Sequence, residues 1–470
     1  MDDPIPIEFG TGSHPGLYGP DNGPRHINVR MGMAPESKSQ TPYYSYWGLD
    51  SFATVPNVVT GCRCLIKVGP SLLSLLGNQL IKFDSSGSYT ALGGIPGDNK
   101  VIAARNQASP LPHVVFVSDG IRYEWTGGLL QLLDDPDLPS PNSATFINQR
   151  IVYGIPDGRF FWSDVGSASS VDGLSFAEAE ADPDDGVRVI NHRGDLWYLG
   201  TETQQIFRDT GQTINTFAPI AGGYTRMGCA AAHTVAALGD ELIWVSDKGS
   251  VVLAEGYQPQ PISSEAVQAS IAAVDDKTEL TGAAYHFRGL GFYELSAPGI
   301  DGWTWVFNRN TKTWFEARSN GLTRRRTQMV AAFGDKILMG DHETGDIYAL
   351  SASTFTENGE AMVWELQSPP WHAYPNRVSV YRLYLDLVTG AGASLSTADK
   401  VMIDWSDDGG RTWSDEIVRR LGVKGEYSET VEVSGLGATS RQGRIWRTRV
   451  SSAGPRALLG AKTEANKIGT

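Results

Sequence analysis

The stretch whose residue types and spacing come nearest to chemistry runs from Trp405 to Trp413. It fits the Asp-box pattern Ser-x-Asp-x-Gly-x-Thr-Trp at every position, through Ser406, Asp408, Gly410, Thr412 and Trp413. In such a turn the aspartate accepts backbone N–H bonds, the glycine supplies an angle other residues resist, and the tryptophan lays its ring beneath the hairpin. A glycosidase is its functional reading, but in the propellers that carry such boxes they lie away from the active site. The Asp-box is therefore assigned a structural role. Arg324-Arg325-Arg326 is the densest basic cluster. Contact with phosphate or with a partner's acids is its functional reading, and a solvated loop is the reading adopted.

Other candidates fall away on spacing. The acidic run Glu178 to Gly186 offers clustered carboxylates suited to calcium but lacks EF-hand spacing. Cys62 and Cys64 form a lone Cys-x-Cys pair and Cys229 stands apart. That is neither a zinc-finger arrangement nor a disulfide scaffold, so buried strand thiols in a reducing compartment are expected. The histidines are scattered with no His-Glu-x-x-His, and neither a phosphate loop nor a Gly-x-Ser-x-Gly elbow occurs. No catalytic residue, no metal and no cofactor is expected. Asp-boxes do occur in sialidases and other propellers, away from their active sites. A sialidase-like, carbohydrate-active propeller is the alternative carried forward, although no stretch proposes the arginine cluster and Tyr/Glu pair it would need.

What positions these residues is a repeated hairpin, clearest at Gly239 to Leu253. The apolar run Leu242 to Val245 meets a polar turn at Ser246 to Gly249, and Val251 to Leu253 returns from it. Neither run alternates with polar residues, so both faces of these strands should be covered. Related phrases begin at Gly77, Ser118, Asn148, Arg193, Phe287 and Gly334, and from Asn148 onward the starts fall 45 to 48 residues apart. A recurrence near that period with strand-turn-strand content belongs to β-propeller blades. The fold class is all-β: a propeller of six or seven blades with a C-terminal antiparallel β domain. With 53 Gly and 25 Pro among 470 residues, and only 20% charged, the composition agrees. The 13 Trp and 17 Tyr suit the spaces between packed sheets.

In chain order, residues 1–45 read as an extended N-terminal arm that gains order against a neighbouring subunit. Residues 46–352 are propeller blades, interrupted by one short helix capped by Ser264, with Val267, Ile271 and Val274 on one face. A polar linker, 353–360, leads to a C-terminal β domain or closing blade at 361–450, where strands alternate. Residues 451–470 read as a flexible tail. The net charge of −14 argues against a gripping DNA surface. The opening Met1 to Pro6 has neither a basic region nor an apolar stretch, and no run reaches membrane-spanning length, so neither export nor insertion is expected.

Several phrases in order resemble the packaged-DNA stabilisation proteins, or tail accessory factors, of short-tailed bacteriophages. They are Phe176 to Asp184, Gly194 to Gly200 with Gln205 to Gly211, Gly228 to Ala232, Pro261 to Ala266, Phe292 to Pro298, Thr304 to Phe307 with Trp314 to Ser319, and the Trp405 to Ser414 hairpin. Gln204-Gln205 and Ala297-Pro298 depart from the family pattern, and the resemblance covers roughly residues 140 to 450. It implies a structural virion protein without enzymatic activity. Such a protein forms a ring, usually of six copies, below portal and adaptor. It extends the DNA channel, retains the packaged genome, and offers attachment to the tail needle and to tailspikes or fibres. DNA would pass without specific binding.

Overall fold

The protein is described by a computed structural model covering residues 4–16, 22–179, 182–213, 215–392 and 394–468. Seven four-stranded antiparallel blades stand around an axis among these residues. Their innermost strands are Cys62–Val68, Ile102–Arg105, Ser143–Ile147, Gly186–His192, Ala236–Leu238, Thr281–Phe287 and Thr327–Phe333. The last of these returns to lie beside the first. The seventh blade takes its outermost strand, Gly48–Thr54, from the beginning of the chain, pairing it antiparallel with Asp346–Ser351. Closing a ring with a strand from the opposite end of the chain makes opening it cost the contacts of a whole blade edge.

Each interface between neighbouring blades holds its own apolar cluster. Leu73, Phe116 and Trp125 fill the space between the first and second blades, and Trp197 and Trp244 that between the fourth and fifth. The Leu242 to Val245 run is fully buried on both faces, as its unbroken apolar character requires. At ~1.5–3 kcal/mol for each large side chain removed from water, these clusters supply the main cohesion of the ring. The short helix Glu265–Ala272 buries Val267 and Ile271 in the cluster between the fifth and sixth blades.

The repeated phrases mark two-residue hairpin turns. From Asn148 onward each lies between the first and second strands of its blade, with partners such as His192↔Asp195 and Phe333↔Lys336 flanking the turn. Arg193 and Gly194 both take positive φ, and Gly334 takes φ +63° at the first turn position. These are the two backbone solutions that match the twist of a tight hairpin. Gly77 and Ser118 instead belong to turns between second and third strands, at Leu76↔Gln79 and Ser118↔Ile121. That displacement is why the period is irregular before Asn148.

The C-terminal part is a sandwich of two sheets around a core that includes Leu383, Ile403 and Trp446. One sheet runs Val29–Met31, Tyr43–Ser45, Ala457–Ile468, Arg377–Leu387, Val431–Ser434, with Ile5–Pro6 also on Ala457–Ile468. The other sheet is not separate from the propeller. The sixth blade ends at Thr313–Glu316, beside which Arg25–Ile27 lies parallel, followed by Trp364–Gln367, Ile445–Val450, Asp399–Ser406 and Ile417–Gly422. One nine-stranded sheet thus crosses both parts, joined by three residues of the arm.

Three expectations are corrected. The arm, expected to need a neighbouring subunit for order, contributes Ile5–Pro6, Arg25–Ile27, Val29–Met31 and Tyr43–Ser45 to sheets of its own chain. The tail expected to be flexible holds the strand Ala457–Ile468, which is hydrogen-bonded on both edges, to Arg377–Leu387 on one and to Tyr43–Ser45 and Ile5–Pro6 on the other. The 353–360 segment includes Thr356–Glu357, which pairs parallel to the seventh blade's outer strand through Glu357↔Leu49.

Candidate functional site

The arginine triplet is where the structure departs most from its expected surroundings. Arg325 is buried between the residues that lead into the seventh blade's outer strand, the sixth blade and the segment after the seventh. Its Nη1 donates to Glu294 Oε1 at 2.6 Å and its Nη2 to the Trp47 carbonyl at 3.1 Å, while Nε faces Glu357 at 3.5 Å. The guanidinium lies 4.7 Å from the Tyr46 ring centroid, and the hydroxyls of Tyr46 and Tyr285 donate to Glu294 Oε1 at 2.7 and 2.5 Å. Burial disfavours the charge on Arg325, but Glu294, the two tyrosines and Glu357 outweigh it and hold its pKa above the ordinary value. Burial raises Glu357, opposed chiefly by Arg325. A cation with this many partners from distant parts of the chain orients those parts.

Its neighbours differ. Arg326 is partly buried, with its ring-facing side over Tyr348 and its Nε 3.8 Å from Asp341. Arg324 is buried and lines a cavity between the blades. The expected solvated loop is therefore corrected: the carboxylates that draw Arg325 and Arg326 inward, Glu294, Asp341 and Glu357, come from three other segments and leave no trace in the local sequence.

A second ion cluster fixes the arm at the shared sheet. Arg25 makes a two-pronged contact with Glu316, at 2.7 and 2.8 Å, and Arg318 Nη2 donates to the same carboxylate at 2.7 Å. Burial would raise Glu316, yet Arg25 and Arg318 bring it below the usual glutamate range. Beside it Asn28, at φ 56°, accepts from the Arg318 amide and donates to the carbonyls of Arg318 and Val363. The residue is suited to that left-handed conformation, which others resist.

The Asp-box residues come together as one turn, in the sandwich sheet rather than in a blade. Asp408 accepts from the Arg411 and Thr412 amides at 2.9 Å each and from Thr412 Oγ1 at 2.6 Å, and Ser406 Oγ donates to it at 2.7 Å. These bonds, that of Thr412 first, hold its carboxyl far below the ordinary range. Gly410 takes φ +87° and donates its amide to Ser406 Oγ. Trp413 is half-buried and covered by the Arg447 guanidinium 3.7 Å from its centroid. Nearby arginines are engaged: Arg444 with Asp407, Arg447 with Asp404.

The three cysteines are buried free thiols, each pushed up to about 12 by burial, which makes them poor nucleophiles. In the acidic run, Asp184 accepts from Thr201, Glu202 and Thr203. Glu180 and Ala181 lie outside the described residues. No cluster of three or more His, Cys, Asp or Glu suited to a metal ion occurs among the described residues.

Sequence composition left the joint unread because its members, Trp47, Glu294, Arg325 and Glu357, are far apart in the chain; the signal available was only that three adjacent arginines sit in an otherwise charge-poor region.

Comparison with known proteins bears on both halves of this arrangement. A family model described as Bacteriophage P22 Gp10, beta-propeller, matches residues 26–355, and one described as Bacteriophage P22 Gp10, beta-sandwich, matches residues 363–466. The match reaches much further toward the N-terminus than the phrases noted above. A search of curated proteins finds no match. Among solved structures, a streptogramin B lyase is similar at TM-score 0.46 and 11% identity, covering 65% of this chain and 97% of that one. Virginiamycin B lyase from Staphylococcus aureus is similar at TM-score 0.46 and 13% identity, covering 65% of this chain and 99% of that one. A computationally designed protein, Ika8, follows at TM-score 0.37 and 12% identity, covering 64% and 99%.

Proposed function

This chain belongs to the bacteriophage P22 Gp10 family, a structural component of the phage tail, and on that footing we propose that it is the tail hub, or nozzle, of a short-tailed phage. Six copies form a ring below portal and adaptor, extend the DNA channel, retain the packaged genome, and present surfaces to the tail needle and to tailspikes or fibres. It assembles in the host cytoplasm and enters the virion. No helix among the described residues is long and apolar enough to cross a membrane.

The observation that supports this most is that the two family-matched parts share one continuous sheet. A subunit in a ring under load has to pass force from one face to the other. Here the path runs through strand pairing and the ion clusters of Arg25 and Arg325, not through a free linker. Heterologous contacts between such rigid bodies close into a ring when the rotation permits. A net charge of −14 suits a channel wall to which DNA does not adhere, since repulsion between phosphates and acids acts within about 8 Å at physiological salt. Retention then depends on a plug and not on attraction.

The test is native mass spectrometry of the purified chain with portal and adaptor. A species with six copies bound to the adaptor is expected; a chain that stays monomeric with adaptor present contradicts the proposal.

A further inference from the structure

At the end of the propeller where the inner strands begin, loops of six blades line a cavity of about 630 Å³. Lys100, from the loop into the second blade, reaches across to donate to the backbone carbonyl of Glu279, before the sixth blade, at 2.6 Å. Arg324, before the seventh, lines the same cavity at 4% exposure. Its Nε donates to the Arg325 carbonyl at 3.2 Å, and its Nη2 is buried with no partner.

The polar groups around it do not supply that partner. Glu294 and Glu357 face Arg325, and Asp341 faces Arg326. In the cavity, Asp119 is held by the Asn99 amide at 2.6 Å and Asp276 by the Thr278 amide and hydroxyl at 2.9 and 2.6 Å. Lys100 has three donors and one protein acceptor. Burial, and then the charge of Arg324, push Lys100 down to about 8, and burial pushes Arg324 down to about 10. Arg324 and Lys100 thus share the cavity with Arg63, whose guanidinium is taken up by the carbonyls of Gly77, Ile95 and Asn99, and with the carboxylates of Asp98, Asp119, Asp276 and Glu279; among the described residues no carboxylate bonds to Arg324 or Lys100, so both keep donors without a negatively charged acceptor. An arginine left so is costly, and a planar two-oxygen anion matches its geometry.

We propose that Arg324 and Lys100 form a binding site for one small oxyanion, a phosphate or a carboxylate, in the cavity at the end of the propeller where the inner strands begin. The site does not rest on the tail role: a chain that assembles into a ring yet binds neither anion overturns this inference alone.

The test is isothermal titration calorimetry of the full chain with inorganic phosphate and, separately, with acetate, at constant ionic strength in chloride. Saturable binding at one site per chain is expected for at least one of them, and which binds more tightly identifies the chemistry. Arg324→Gln, checked for an unchanged circular dichroism spectrum and elution volume, should weaken it roughly 10-fold or more, as loss of a charge-assisted bond does. Should that variant fail to fold, Lys100→Met gives the same readout from a half-exposed position. No saturable heat with either anion, or binding unchanged in the folded variants, overturns the proposal.

Discussion

The guanidinium of Arg325 lies 2.6 Å from the Glu294 carboxylate with their side chains only 1% and 4% exposed. Around that pair meet Tyr46 and Trp47, which lead into the seventh blade's outer strand, the sixth blade through Tyr285, and the segment after the seventh blade through Glu357.

Removing one charge should therefore be severe. Arg325→Met leaves Glu294 and Glu357 buried without a counterion, and about 3–5 kcal/mol of stability should be lost. Urea denaturation measures it. Adding Glu294→Gln should restore part of the loss, because one of the stranded charges is removed with its partner.

Acid should act on the second cluster. Glu316 has its pKa lowered from 4.5 in the folded chain, so its contribution is fully present above that value and is lost as pH falls through the depressed folded value. At pH 7 Glu316→Gln should cost about 1–3 kcal/mol, discounted for the partial exposure of Arg25 and Arg318. The gap between variant and wild type should narrow as pH is lowered below 4.5. A gap that is constant with pH contradicts the assignment.

The arm should couple the two parts. A chain lacking residues 1–45 loses Arg25–Ile27 from between the sixth blade and the sandwich, and Tyr43–Ser45 from the edge of Ala457–Ile468. Calorimetry should show two transitions where the full chain shows one. A single transition at the wild-type midpoint would mean the splice carries no energy.

The Asp-box should matter locally. Asp408→Ala removes the acceptor of the Arg411 and Thr412 amides, so hydrogen exchange at those amides should accelerate while the rest of the chain is unchanged. Loss of ring assembly in this variant would instead place the turn at a subunit contact.

The sequence reports what is local. The hairpin at Gly239 to Leu253 could be read because a two-residue turn and two doubly covered strands each leave a composition of their own. The Asp-box could be read for the same reason, since its bonds fall within residues 406–414. The blade phase slipped at Gly77 and Ser118, because a turn signal does not say which pair of strands it joins. Arg25–Ile27 and Ala457–Ile468 were illegible as strands, being short or rich in small residues and formed by pairing with partners far along the chain. Arg324 to Arg326 look solvated in sequence for a like reason: Glu294, Asp341 and Glu357 come from three different segments.

The most direct measurement of the central claim is cryo-electron microscopy of the purified chain mixed with portal and adaptor. A closed six-fold ring seated on the adaptor is expected, each subunit a seven-bladed propeller and a sandwich joined by one sheet. Subunits left unassembled beside an intact portal and adaptor, or propeller and sandwich seen at variable angles to each other, would contradict it.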